Sequence, residues 1–176
     1  MIGVWVLREV WDRVPAWVNK APISEFRLAI NVSPRQFFDI GFRNQLKELA
    51  DSDPDRTCHV ELEITEEVII GNVEQAKAIL LTVDAMNFAI SIDDFRTGYS
   101  SISYLYKLPV SKIKIDRSFI VGVGKTDRAE HVVRSIVDLG HNLGLTIIAE
   151  GVETEMQAHI PQRSRCDEFQ FDLPAA

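Results

Sequence analysis

"HVELEIT", residues 59–65, is the stretch whose reading decides the fold. In an extended chain Val60, Leu62 and Ile64 share one face, while Glu61, Glu63 and Thr65 share the other. The alternation returns in "ISIDD" (90–94), where Ile90 and Ile92 oppose Ser91 and Asp93. It returns again in "KIKID" (112–116), where Ile113 and Ile115 oppose Lys112, Lys114 and Asp116. A doubly wound sheet is covered by helices on both faces, so its strands read apolar throughout. Here each strand keeps one charged face, with the charge gathered toward its C-terminal end. A barrel accounts for this pattern: apolar faces meet an outer layer of helices, and charged faces look inward at the mouth. An open sheet with one wet face is the competing reading.

Outward from these strands, the pattern alternates helix and strand. Val4, Leu7, Val10, Trp11, Val14 and Trp17 predict an amphipathic helix over 4–19. "FRLAINVS" (26–33) reads as a strand, and 34–53 as one helical segment through Phe38, Phe42, Leu46 and Leu49. "HVELEITEE" (59–67) is expected to be one strand, followed by a helix over 73–86, a strand in "FAISIDDF" (88–95), and a short helix in "SSISYLYKLP" (100–109) stopped by Pro109. "SKIKIDRSFI" (111–120) is expected to be a strand. Thr126 or Asp127 caps a helix through 129–144, which Gly144 ends. "LTIIAEGVE" (145–153) and "CDEFQFD" (166–172) complete about six strands, and strands alternating with helices predict an α/β fold with parallel strands. The expectation is a TIM-like (β/α) barrel with about six of eight strands present.

Composition narrows the function. A formal net charge of −7 over 176 residues excludes a broad nucleic-acid-binding surface, which needs clustered Lys and Arg. Cys58 and Cys166 are far apart and read as free thiols in a reducing, cytoplasmic setting. Arg8, Glu9, Asp12 and Arg13 interrupt the apolar opening, so it makes neither a signal-peptide core nor a membrane segment. Gly124, Lys125 and Thr126 match the end of a phosphate-binding P-loop, but Phe119 stands where its first glycine belongs. The four histidines show no metal-ligand spacing, and no nucleophile elbow appears.

The strand ends carry the chemistry. Asn31, Glu63, Asp93 with Asp94, Lys114, Glu150 and Gln170 lie at or near the ends of successive strands. Oxygen donors of this kind suit hard divalent cations, Mg²⁺ or Mn²⁺, more than zinc or copper. Two adjacent aspartates can serve two metals about 3.5–4 Å apart, which clamp both oxygens of a phosphoryl displacement. Singly, each residue has a plainer reading: a solvated glutamate, a turn asparagine, or a lysine paired with Asp116 or another carboxylate.

Together "NVS", "ELEITE", "DDFRTGYSS", "KIDRSF" and "AEGVE" resemble the EAL-domain cyclic-di-GMP phosphodiesterases, a bacterial signalling family. The resemblance runs over 1–176 and keeps the family's order and spacing. It implies a TIM-type barrel that hydrolyses cyclic-di-GMP to linear pGpG with two Mg²⁺ or Mn²⁺ ions. It assigns Asn31, Glu63 and Asp93 to one metal, and Asp93, Asp94 and Glu150 to the other. Lys114 would attend the hydrolytic water, Glu153 would anchor the loop after Asp94, and Gln170 would lie near the metal–water network. The resemblance further implies an upstream sensory or GGDEF-type domain.

The sequence also departs from the family. No Glu-Ala-Leu stretch is present, and with it the first two strands, a ligating glutamate and a substrate-seating arginine are expected to be absent. The expectation is a partial EAL domain, completed by another segment or by homodimer formation, with cyclic-di-GMP hydrolysis at least about 100-fold slower than in a complete domain. Arg96, Arg165 and Phe171 stand where the family usually has glycine. The alternative from another functional class is a non-catalytic cyclic-di-GMP-binding or protein-interaction module.

Overall fold

A computed structural model of the chain describes residues 2–20, 26–95, 104–122, 126–152, 162 and 165–171. It has two compact units, residues 1–91 with 107–109, and residues 92–106 with 110–176.

The first unit opens with α1 (Ile2–Val18), which buries Leu7, Trp11 and Val14 at the i, i+4, i+7 spacing of one helix face. Pro15 sits inside α1 and has no N–H to give the Trp11 carbonyl. Arg56 supplies that bond instead: its guanidinium donates to the Trp11 carbonyl at 3.1 Å and lies over the indole ring. β1 (Leu28–Asn31) leads to α2 (Pro34–Phe37) and α3 (Ile40–Ser52). The single helix expected over 34–53 is thus two. Asp39 breaks it by adopting an extended backbone and accepting from the Phe42 N–H at 2.8 Å, an N-cap that starts a new helix. A 3-10 turn over Pro54–His59 enters β2 (Val60–Thr65). The strand expected over 59–67 thus stops at Thr65: Glu66 and Glu67 form the first turn of α4 (Glu66–Gly71), which the sequence pattern did not suggest, and α5 (Val73–Asp84) follows, started by the Asn72 cap on Gln75. β1 and β2 run parallel, with Leu28 opposite Val60 and Asn31 opposite Glu63.

β3 (Ala89–Phe95) begins in the first unit and ends in the second. The second unit adds β4 (Lys112–Ile115), α6 (Arg117–Val121), α7 (Asp127–Asn142), β5 (Thr146–Val152) and β6 (Glu168–Phe171). The strand expected over 111–120 stops at Ile115. Asp116 turns the chain there, its carboxylate accepting from the Ser118 N–H at 2.7 Å, and the remainder becomes α6. Thr126 caps α7, and Gly144 at φ +74 leaves it in the left-handed region. Gly140 lets α7 lie close on β5, because a Cβ there would meet Ile147 Cδ1 at 2.1 Å. β4 pairs parallel with β5, and β5 with β6. The helix expected over 100–109 begins outside the described residues; of its later part, Tyr104, Leu105 and Leu108 are buried.

The strands follow one another in the sheet in chain order, β1 to β6. A doubly wound sheet reverses direction at a switch point, and this one does not. Sequential parallel strands with intervening helices are the (β/α)-barrel arrangement. Burial agrees with that reading. Glu61, Glu63, Ser91 and Lys114 are all buried, so the charged strand faces are not the wet face of an open sheet.

Candidate functional site

In the second unit the ends of three strands bring together Asp93 and Asp94 from β3, Lys114 from β4 and Glu150 from β5. Strand periodicity explains the convergence. Ile113 and Ile115 take the apolar side of β4, which turns Lys114 to the other face. Lys114 lies opposite Ile148 in the parallel register, and Glu150 is two residues further along that same face of β5. The Lys114 ammonium forms an ion pair with Glu150 Oε1 and stands 3.7 Å from Asp93 Oδ1.

Asp94 adopts φ +53, a region that a residue with a side chain enters at a cost. Its N–H donates back to Asp93 Oδ1 at 2.8 Å, so the strained turn fixes the neighbouring carboxylate. Asp93, Asp94 and Glu150 each offer an oxygen within 4.8 Å of the others. A Mg²⁺ ion bound at about 2.0–2.1 Å separates opposite ligand oxygens by about 4.2 Å. Small rotamer adjustments therefore suffice for these three to share one ion, and an all-oxygen donor set is the kind that hard cations take. The cluster is an acidic site able to hold a metal.

Burial pushes the Glu150 carboxyl up to about 7; the hydrogen bond and charge of Lys114 oppose the rise, and the charge of Asp93 adds to it. A carboxyl so desolvated favours either a proton or more positive charge nearby. The Lys114 ammonium meets part of that demand through its ion pair with Glu150.

The remaining residues singled out from the sequence lie as follows. Asn31 and Glu63 belong to the first unit, face each other across the β1–β2 register, and are exposed and buried respectively. The Glu63 carbonyl accepts from the Val32 N–H at 2.8 Å, which extends the pairing past the end of β1. Gln170 is exposed on β6. Glu153 and Arg96 lie outside the described residues. Arg165 adopts φ +61, a conformation that a glycine would hold without strain. Phe171 is exposed and packs its ring 6.5 Å from that of Phe169. Sequence reasoning gave no role to Gly151 or Arg117, which adjoin the cluster. The available signal was a glycine inside a strand, which marks a bulge or a close approach.

The EAL domain pattern matches residues 1–172. The bifunctional diguanylate cyclase/cyclic di-GMP phosphodiesterase MucR of Pseudomonas aeruginosa is 37% identical over 169 residues, which are 96% of this chain and 24% of that protein. The cyclic di-GMP phosphodiesterase PA2567 of the same species is 35% identical, over 97% of this chain and 29% of its own length. The chain thus spans about a quarter of the length of these curated relatives. Among solved structures, the MucR phosphodiesterase in complex with c-di-GMP superposes with a TM-score of 0.88 at 37% identity, covering 97% of this chain and 68% of that one. The EAL domain of Mycobacterium smegmatis DcpA gives 0.85 at 35% identity, covering 97% and 77%. A pattern matched along nearly the whole chain, and relatives sharing more than a third of its residues, establish that this chain belongs to the EAL domain family.

Proposed function

We propose that this chain carries the hydrolytic site of a cyclic-di-GMP phosphodiesterase, which opens the cyclic dinucleotide to linear pGpG with Mg²⁺ or Mn²⁺. The observation that carries the reading is the convergence of Asp93, Asp94 and Glu150 on one another around Lys114. Its chemical direction comes from relatives named as cyclic di-GMP phosphodiesterases. Asp93, Asp94 and Glu150 would hold one cation. Asn31, Glu63 and Asp93 are assigned to a second by the resemblance of "NVS", "ELEITE" and "DDF" to the family's motifs. Bound divalent ions supply a nucleophilic water at neutral pH and charge neutralisation at the phosphate.

The chain's own residues supply the rest. The Lys114 ammonium is held by Glu150 and Asp93, and is proposed to donate to the attacking water and the phosphoryl oxygens. Its charge opposes the negative charge that grows on those oxygens in the transition state. Glu153 is proposed to anchor the loop after Asp94, and Gln170 to act at the edge of the water network. Residues 1–176 are proposed to work as EAL-domain sequence within a larger signalling protein, with a GGDEF-type or sensory domain upstream.

The test is chromatography of cyclic-di-GMP incubated with the chain and Mn²⁺, with calorimetry of the same nucleotide in Ca²⁺. Formation of pGpG that EDTA abolishes, and that Lys114→Met reduces by about 100-fold or more, is the expected result. Binding without any pGpG would make the chain a receptor rather than an enzyme. Neither binding nor turnover would overturn both readings.

A further inference from the structure

We propose that Arg117 is a positioning residue for Glu150: its aliphatic stem lies on the bare Cα of Gly151 and holds β5 in the conformation that aims Glu150 at Asp93 and Asp94. The inference rests on reading those carboxylates as a metal centre.

Three independent observations support it. The β5–β6 register slips between Ala149 and Val152, so Glu150 and Gly151 occupy the irregular part of the strand. Such irregularities re-aim side chains, and they concentrate beside active sites. Gly151 adopts φ +66, a backbone state that residues with side chains rarely enter. A Cβ on Gly151 would lie 2.4 Å from Arg117 Cγ and 2.7 Å from its Cδ, so the arginine stem fills the space that a side chain would take.

The stem is itself fixed at its root. Asp116 caps the first turn of α6 through Ser118, and its N–H reaches the Phe95 carbonyl at 3.5 Å, just past Asp94 on β3. α6 packs on β5. One short segment therefore contacts Glu150 and its neighbour twice. Lys114 pairs with the Glu150 carboxylate, and Arg117 presses on the next residue's backbone. Arg117 itself is exposed, so the fold does not depend on its burial.

The test is Mn²⁺ binding, followed by electron paramagnetic resonance of the free ion, with thermal melts in EDTA as the folding control. Arg117→Met keeps a stem of similar reach and removes the charge; Arg117→Ala removes both. Both variants have the same net charge, so the difference between them isolates the stem. Arg117→Ala is expected to bind Mn²⁺ about tenfold more weakly than Arg117→Met, the lower end of what losing a supporting group costs a metal site. Gly151→Ala should weaken binding further, because a Cβ there meets the arginine stem and the backbone holds a positive φ. Equal Mn²⁺ affinity for the Met and Ala variants would overturn the inference. Failure of the unmodified chain to bind Mn²⁺ would overturn the metal reading together with it.

Discussion

Raising the pH from 5 to 8 without divalent cations should destabilise this chain through Glu150. Burial lifts that carboxyl from 4.5 to about 7, with 15% of the side chain exposed. An acid whose pKa is higher folded than unfolded binds more protons in the folded state across that interval. Its contribution to stability is therefore complete below 4.5 and lost as the pH rises through about 7. A rise of this size corresponds to at most about 3–4 kcal/mol. A bound cation reverses the sign, because it requires the charged carboxylate and so expels the proton. With a carboxyl near 7, the charged fraction climbs from about one-tenth at pH 6 to about nine-tenths at pH 8, so Mn²⁺ affinity should rise about tenfold between them. Urea melts in EDTA across pH 5–8, for the natural chain and for Glu150→Gln, give a difference curve from which the other titrating groups largely cancel. Calorimetric Mn²⁺ titrations in two buffers of unequal ionisation heat count the protons released. The expected results are a difference curve that falls with pH and close to one proton released at pH 6, against about a tenth of one at pH 8. A flat difference curve, with no proton release at pH 6, would refute the placement of Glu150 in a desolvated acidic cluster.

Two further substitutions test the strained backbone. Asp94 holds φ +53 beside two other carboxylates, so Asp94→Gly should raise metal-free stability by about 0.5–1 kcal/mol while weakening Mn²⁺ binding at least tenfold. Melts and metal titrations on the same variant check both halves, and a less stable variant with unchanged binding contradicts them. Arg165 holds φ +61 away from the cluster, and Arg165→Gly should stabilise by about 0.5–1 kcal/mol, since relief of strain exceeds the added freedom of the unfolded chain. A loss of stability in urea melts would show that the arginine side chain makes contacts that outweigh its backbone.

The period of two in residues 59–65, 90–94 and 112–116 was enough to place three strands and the face on which their charges lie, because strand geometry is local. Thr126 and Gly144 marked the ends of α7 for the same reason, as caps act within a turn. The errors came where a polar residue interrupts an apolar run. Asp39 and Asp116 each sit among residues whose hydrophobicity continues on both sides, and each starts a helix by accepting a backbone N–H. Hydrophobic periodicity averages over such a residue and misses the turn it makes. α4 was missed for a related reason: over its six residues helical and strand patterns are hard to tell apart.

The site divides along the same line. Asp93, Asp94, Lys114 and Glu150 were legible as charges at strand ends, and parallel strands in chain order bring such ends to one edge of the sheet. The conformation that aims them was not legible. "AEGVE" and "KIDRSF" are distant in the chain, and neither alone says that the glycine of one is vacant so that the arginine of the other can lie across it. A strand glycine signals only that something comes close. What comes close is decided by pairing β4 beside β5 and turning the chain at Asp116, which are tertiary events. The donor atoms of this candidate centre are therefore written in single residues, and their aim in a contact between segments. For that reason a substitution at exposed Arg117, which supplies no ligand to the cluster, is the sharper probe of how the centre is built.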